Sequence, residues 1–227
     1  MRSTIANWAN QPYDAWSKLC GNKFKVIAMD QRNGGESQGS LGDGWETMRD
    51  DQLALLDHLH INQCLLLGSC IGPSYQLALM KHSPDRFPAA VMMQPIGLAH
   101  CTTEPGNAWD GLNVDATKHW YGDWAREMEQ AGRFSKPELG QLYEALFRRC
   151  AGPDFVFSVS RPDAARLAQR MLVFMGKDIF HPSQIAREIA RVCPNAELVD
   201  KWRDEDYTPE IDARIDAFLA SQVPVLP

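Results

Sequence analysis

Five residues, Gly68-Ser69-Cys70-Ile71-Gly72, follow the apolar run Cys64 to Leu67 directly and lead into a helix-compatible segment, Pro73 to Met80. A strand that becomes a helix across so short a turn constrains the fold more than anything else in the chain. The central residue must take a backbone conformation that side chains resist, with its own side chain held outward. Glycines suit the flanks, because a Cβ at either is expected to collide with the neighbouring strand and helix. Cys70 stands at the centre. The helix N-terminus beside it favours a thiolate, and the backbone N–H of Ile71 is aimed where an oxyanion would develop. Cys70 is therefore the candidate nucleophile and Ile71 a candidate oxyanion donor. The competing reading is a glycine-bracketed strand end that holds a buried thiol.

The rest of the chain supplies the context this turn requires. Phe24 to Met29, Cys64 to Leu67, Ala89 to Met93, Met171 to Met175 and Glu197 to Val199 are apolar or nearly so, as strands buried on both faces should be. Amphipathic helices are predicted over residues 46–59, 183–192 and 208–220, with Ser183 and Thr208 as N-caps. Alternation of this kind predicts an α/β fold: a mostly parallel sheet with helices on both faces, in one domain spanning residues 1–227. Residues 105–153 break the rhythm. They carry Trp109, Trp120, Tyr121, Trp124, Phe134, Tyr143 and Phe147 on helical patterns without a strand, which reads as a helical cap or lid.

Charge and cysteine usage narrow the function classes. Lys and Arg number 23 against 29 Asp and Glu, a net charge of −6 with no basic cluster, which argues against nucleic acid as a partner. Apolar runs such as Met171 to Met175 fall far short of the roughly 20 residues of a membrane span. The segment Met1 to Trp16 has neither the basic start nor the apolar run of a signal peptide, so the expected location is cytoplasmic. Six scattered cysteines and six histidines form no zinc pattern, and the glycine patterns that cradle dinucleotides or nucleotide phosphates are absent, so no metal and no cofactor is expected.

Several stretches together resemble the α/β-hydrolase family, over nearly the whole chain. Asp30-Gln31-Arg32-Asn33-Gly34-Gly35-Glu36-Ser37 is similar to the family's D-x-R-G-x-G-x-S loop, Asp51 to Asp57 to the helix before the turn strand, and Gly176-Lys177-Asp178-Ile179-Phe180-His181-Pro182 to the loop that carries the acid. Ser3-Thr4-Ile5-Ala6-Asn7-Trp8 resembles the tail of the stretch that closes the family's third strand, which places the second oxyanion donor at about Met1 or Arg2. Two departures stand out. The first three strands of the family pattern have no counterpart, so an N-terminally truncated sheet with two unpaired edges is expected, and with it association between copies. The family's histidine normally follows the last strand, yet Trp202-Arg203-Asp204-Glu205-Asp206-Tyr207 contains none.

A cysteine tolerates a weaker base than a serine does, so Cys70 partly offsets that loss. His181, three residues after Asp178, is the candidate base; His100 is the alternative, because the carboxyl ends of adjacent strands converge on one crevice, and His119 is a third. For each, a surface or capping role competes. The resemblance implies a hydrolase acting on a small ester, lactone or thioester through a Cys70 acyl-enzyme, with Asp178 as the acid. Transfer of the acyl group to another acceptor, and a non-catalytic homologue that only binds or scaffolds, are the alternatives.

Overall fold

The structure is a computed structural model and describes residues 4–5, 23–98, 116–147, 155–178 and 180–222, the side chains of 116–120 excepted. Four short runs pair as parallel strands in chain order: β1 (Leu66–Ser69), β2 (Ala89–Met93), β3 (Arg170–Phe174) and β4 (Ala196–Val199). Leu66 faces Ala90, Ala90 faces Met171, and Met171 faces Ala196. Parallel neighbours cannot be joined by a hairpin, so every connection crosses over through helix. Helix α1 (Trp45–His58) precedes β1, and α2 (Gly72–His82) joins β1 to β2. Helices α3 (Ala116–Gln130), α4 (Lys136–Phe147) and the single turn α5 (Arg161–Ala164) lie between β2 and β3. Helix α6 (Ser183–Val192) joins β3 to β4, and α7 (Pro209–Ala220) follows.

The alternation of strand side chains shows why β2 and β3 are apolar throughout. Ala90, Met92, Met171 and Val173 point into one cluster with Leu77 and Met80 of α2 and Ile185 and Ile189 of α6. Ala89, Val91, Met93, Leu172 and Phe174 point the other way, to Trp202 and to Ile215, Phe218 and Leu219 of α7. Each strand thus feeds two cores, and a polar residue on either face would lose its water without gaining a partner.

Helices α3 and α4 fill the described part of the 105–153 stretch. Ser135 opens α4 by giving both its N–H and its hydroxyl to Glu138 Oε2, at 2.8 and 2.6 Å. Tyr121, Trp124, Leu139, Leu142, Leu146 and Phe147 form a third cluster with Trp45, Tyr75, Ile96 and Phe157, and Cys70 packs against it. Side-chain donors tie this hairpin down: Trp45 Nε1 to the Leu146 carbonyl (3.0 Å), Trp124 Nε1 to the Asn33 carbonyl (3.1 Å) and Arg133 to Asn33 Oδ1 (2.9 Å).

Three sequence expectations need correction. Phe24 to Met29 is not a strand: residues 25–30 carry no ladder, and Val26 is 51% exposed. A strand exists only where a neighbouring backbone takes its hydrogen bonds, and among the described residues β1 pairs with β2 alone. The run Cys64 to Leu67 sits two residues early, since β1 extends through Gly68 and Ser69 into the turn. Ser183 is already inside α6, whose N-cap is Pro182. Thr208 does hold the N-cap position of α7, without a side-chain bond to the helix backbone.

Candidate active site

Cys70 follows the last residue of β1 and precedes Ile71, the N-cap of α2. Its φ is +60°, in the left-handed region that costs a residue with a Cβ on the order of 1 kcal/mol or more. The surroundings hold it there. Cys70 donates its N–H to the Met93 carbonyl (3.0 Å) and accepts from the Ile96 N–H (3.2 Å), so both peptide groups are tied to the end of β2. Pro73 in the first turn of α2 sets the helical φ in advance. Gly68 is required for room, because a Cβ there would lie 3.1 Å from Gly72 Cα and 3.1 Å from Gln76 Nε2. At Gly72 an added Cβ meets nothing within 4 Å among the described residues, which corrects the expectation that both glycines avoid a collision.

Two strands away, the chain leaves β3 and folds back on itself. Asp178 Oδ1 accepts from His181 Nδ1 at 2.7 Å, from the Phe180 N–H at 2.9 Å and from the His181 N–H at 3.0 Å. The His181 N–H also reaches the Asp178 carbonyl at 3.1 Å, closing an isolated bridge. So tight a return needs Gly176, where a Cβ would stand 2.2 Å from the His181 carbonyl oxygen and 2.6 Å from His181 Cβ. The Cys70 side chain is among the groups that act on the imidazole, and with Nδ1 taken by Asp178 the nitrogen free to face it is Nε2. Burial works against the charged ring, but Asp178 and Cys70 outweigh it and raise His181 to about 9. Burial likewise opposes the Asp178 charge, yet His181, the Phe180 N–H and Arg203 hold that carboxyl down at about 2.

The loop after β4 supplies a residue that sequence reasoning missed. Arg203 Nη1 donates to Asp178 Oδ2 at 3.1 Å and to Gln94 Oε1, while its Nε reaches Asp204. Gln94 follows β2 with a φ of +40°, its N–H bonded to the Phe174 carbonyl at 2.8 Å. Lys177 turns away from the imidazole toward the Arg203 carbonyl and the carboxylates of Asp204, Glu205 and Asp206. No local pattern pointed to it, because its partners lie 25 and 109 residues away along the chain.

The structure thus brings Cys70, His181, Asp178 and the Ile71 backbone together. Met1, Arg2 and His100 lie outside the described residues, and His119 falls on α3 with its side chain outside them. Burial raises the thiol of Cys64, against a smaller opposing pull from Arg86, and pushes that of Cys193 up to about 12. Among the described residues no three His, Cys, Asp or Glu side chains converge to hold a metal ion, and no helix is long and apolar enough to cross a membrane.

Comparison with known proteins decides the family. The family model described as alpha/beta hydrolase fold matches residues 4–157, more than half of the chain. The chain belongs to the α/β-hydrolase fold family. Solved structures agree on the fold. A serine hydrolase of Cycloclasticus zankles, a bacterium that degrades polyaromatic hydrocarbons, is 20% identical with a TM-score of 0.63, over 91% of this chain and 83% of that one. A hydrolase of Pseudomonas aeruginosa is 19% identical with a TM-score of 0.59, over 98% and 86%. Est816, an N-acyl homoserine lactone degrading enzyme, is 20% identical with a TM-score of 0.58, over 92% and 87%. No curated protein matches the chain. The loop after β4 carries Arg203 and no histidine, and His181 stands on the same loop as Asp178.

Proposed function

We propose that this α/β-hydrolase cleaves a small ester, lactone or thioester through a Cys70 acyl-enzyme, with His181 as proton carrier and Asp178 as its orienting acid. The observation that carries the reading is the His181 ring set between Asp178, which takes its Nδ1 at 2.7 Å, and Cys70, which acts on the same ring and is held at a positive φ beside a helix N-terminus. Sγ attacks the acyl carbon with its proton already held on His181 Nε2, and the carbonyl oxygen collects charge beside the Ile71 N–H. His181 then gives the proton to the leaving oxygen or sulfur. In the second half it takes a proton from water, the resulting hydroxide attacks the thioester, and the acid product leaves as Cys70 recovers its proton. Asp178 fixes the tautomer and stabilises the imidazolium without itself becoming protonated. Cys70 packs against the cluster that the aromatic side chains of α3 and α4 help to build, and that cluster would cover the apolar part of the acyl group, which suits a lid.

Substoichiometric iodoacetamide on the native chain tests the assignment. Cys70 is expected to be alkylated first, ahead of the half-buried Cys64, whose thiol is raised, and well ahead of the buried Cys193. Labelling of any other cysteine while Cys70 stays silent would remove the nucleophile from the reading.

A further inference from the structure

We propose that Arg203 is a positioning residue of this site: it fastens Asp178 Oδ2 to Gln94 across three strand ends and leaves only Oδ1 to His181. The inference rests on the Cys70–His181–Asp178 reading and adds a fourth member to it. Its geometry is specific. Arg203 leaves the end of β4, its Nη1 reaches the acid on the loop after β3 at 3.1 Å, and the same nitrogen bonds Gln94 at the end of β2. Its side chain is only 16% exposed. Asp178 therefore has both oxygens engaged by different elements, Oδ1 by three donors of its own turn and Oδ2 by Arg203. A carboxylate held at both oxygens cannot rotate, so the ring it orients keeps one direction toward Cys70.

The clasp also divides the acid's charge. His181 faces Asp178 and Cys70 directly, Arg203 approaches from the far side of the carboxylate, and Lys177 is occupied by Asp204, Glu205 and Asp206. A cation that shares the carboxylate makes the imidazolium less strongly held than it would be by an unshared acid. With Arg203 in place, the ring can release its proton to a leaving group more readily.

The test is an NMR titration of the His181 ring in the full chain, its signal assigned by its loss in His181→Gln, for the native protein, Arg203→Met and Arg203→Gln. Native His181 should titrate near 9, and both variants should move it upward by roughly half a pH unit or more, while the acylation rate drops about tenfold at unchanged KM. Arg203→Gln, which keeps a donor to the carboxylate, serves where Arg203→Met fails to fold. A native titration near 9 that neither variant raises overturns the clasp and leaves the three-residue reading standing. A native titration near the ordinary 6.5 overturns that reading, and the clasp with it.

Discussion

The two sides of the sheet behave differently although both begin from apolar runs of similar length. At β2 and β3 the runs pair in register and bury both faces, β4 adds a further paired strand, and the loops after these three deliver Gln94, Asp178 and Arg203 to one place. The Phe24 to Met29 run, by contrast, carries no ladder, with Ile27 against one core, Phe24 against another, and Val26 half exposed. Apolar composition buries side chains, but only a neighbouring backbone makes a strand. The proposed site sits at the ends of the paired strands, since a side chain kept at a strained φ needs a rigid frame around it.

That contrast is broken most severely by removing the sulfur. Cys70→Ala should lower acylation by roughly 10³-fold or more in a stopped-flow assay with an activated ester, with a melting temperature nearly unchanged, because alanine keeps the Cβ and with it the same strain at the positive φ. An equal loss of activity and stability would mean that Cys70 is packing rather than chemistry.

His181→Ala comes next, with an expected loss of roughly 10²-fold in acylation. The pH dependence carries a sign. His181 is raised, so what its charge contributes is fully present below 6.5 and is lost as pH rises through about 9; Asp178 is depressed, so its contribution is present above 3.8 and is lost as pH falls through about 2. The ion pair therefore stabilises the fold most between those ordinary values, and thermal melts should show it. Acylation, which needs the imidazolium as proton donor, should fall as pH rises through about 9, whereas iodoacetamide alkylation, which needs no donor, should not. Parallel profiles for the two reactions would contradict the role of His181 as acid.

Gly176→Ala tests whether the acid loop owes its shape to room alone. The added Cβ meets backbone 2.2 Å away, so the loop must shift, at a cost of about 1–3 kcal/mol in denaturant melts and about tenfold in acylation. The smallest effect is expected from probing the two sides without mutation. In amide hydrogen exchange, β2 and β3 should be slowest and residues 25–30 among the fastest. Similar protection on both sides would show that the extended segment has a backbone partner after all.

How much of this was legible in the sequence follows from the range of each interaction. The parallel α/β sheet, the helix positions and the turn at Cys70 are written in local patterns: apolar runs, amphipathic spacing and a glycine-bracketed pentapeptide. Asp178 and His181 lie three apart, so their pairing too could be anticipated. Arg203 could not, since it meets Asp178 across 25 residues and Gln94 across 109, and a search for a missing histidine looks past an arginine. The Phe24 run misled because its fate depends on a neighbour that no local pattern reports.

The central claim, that Cys70 carries the acyl group with His181 as its proton carrier, is tested most directly by trapping the adduct. The chain is mixed with p-nitrophenyl acetate, quenched in acid and mapped by peptide mass spectrometry. The account predicts an acetyl group on the peptide that contains Cys70, absent in Cys70→Ala and formed roughly 10²-fold more slowly in His181→Ala. Acetylation of another residue, or of none by a folded chain, would contradict it.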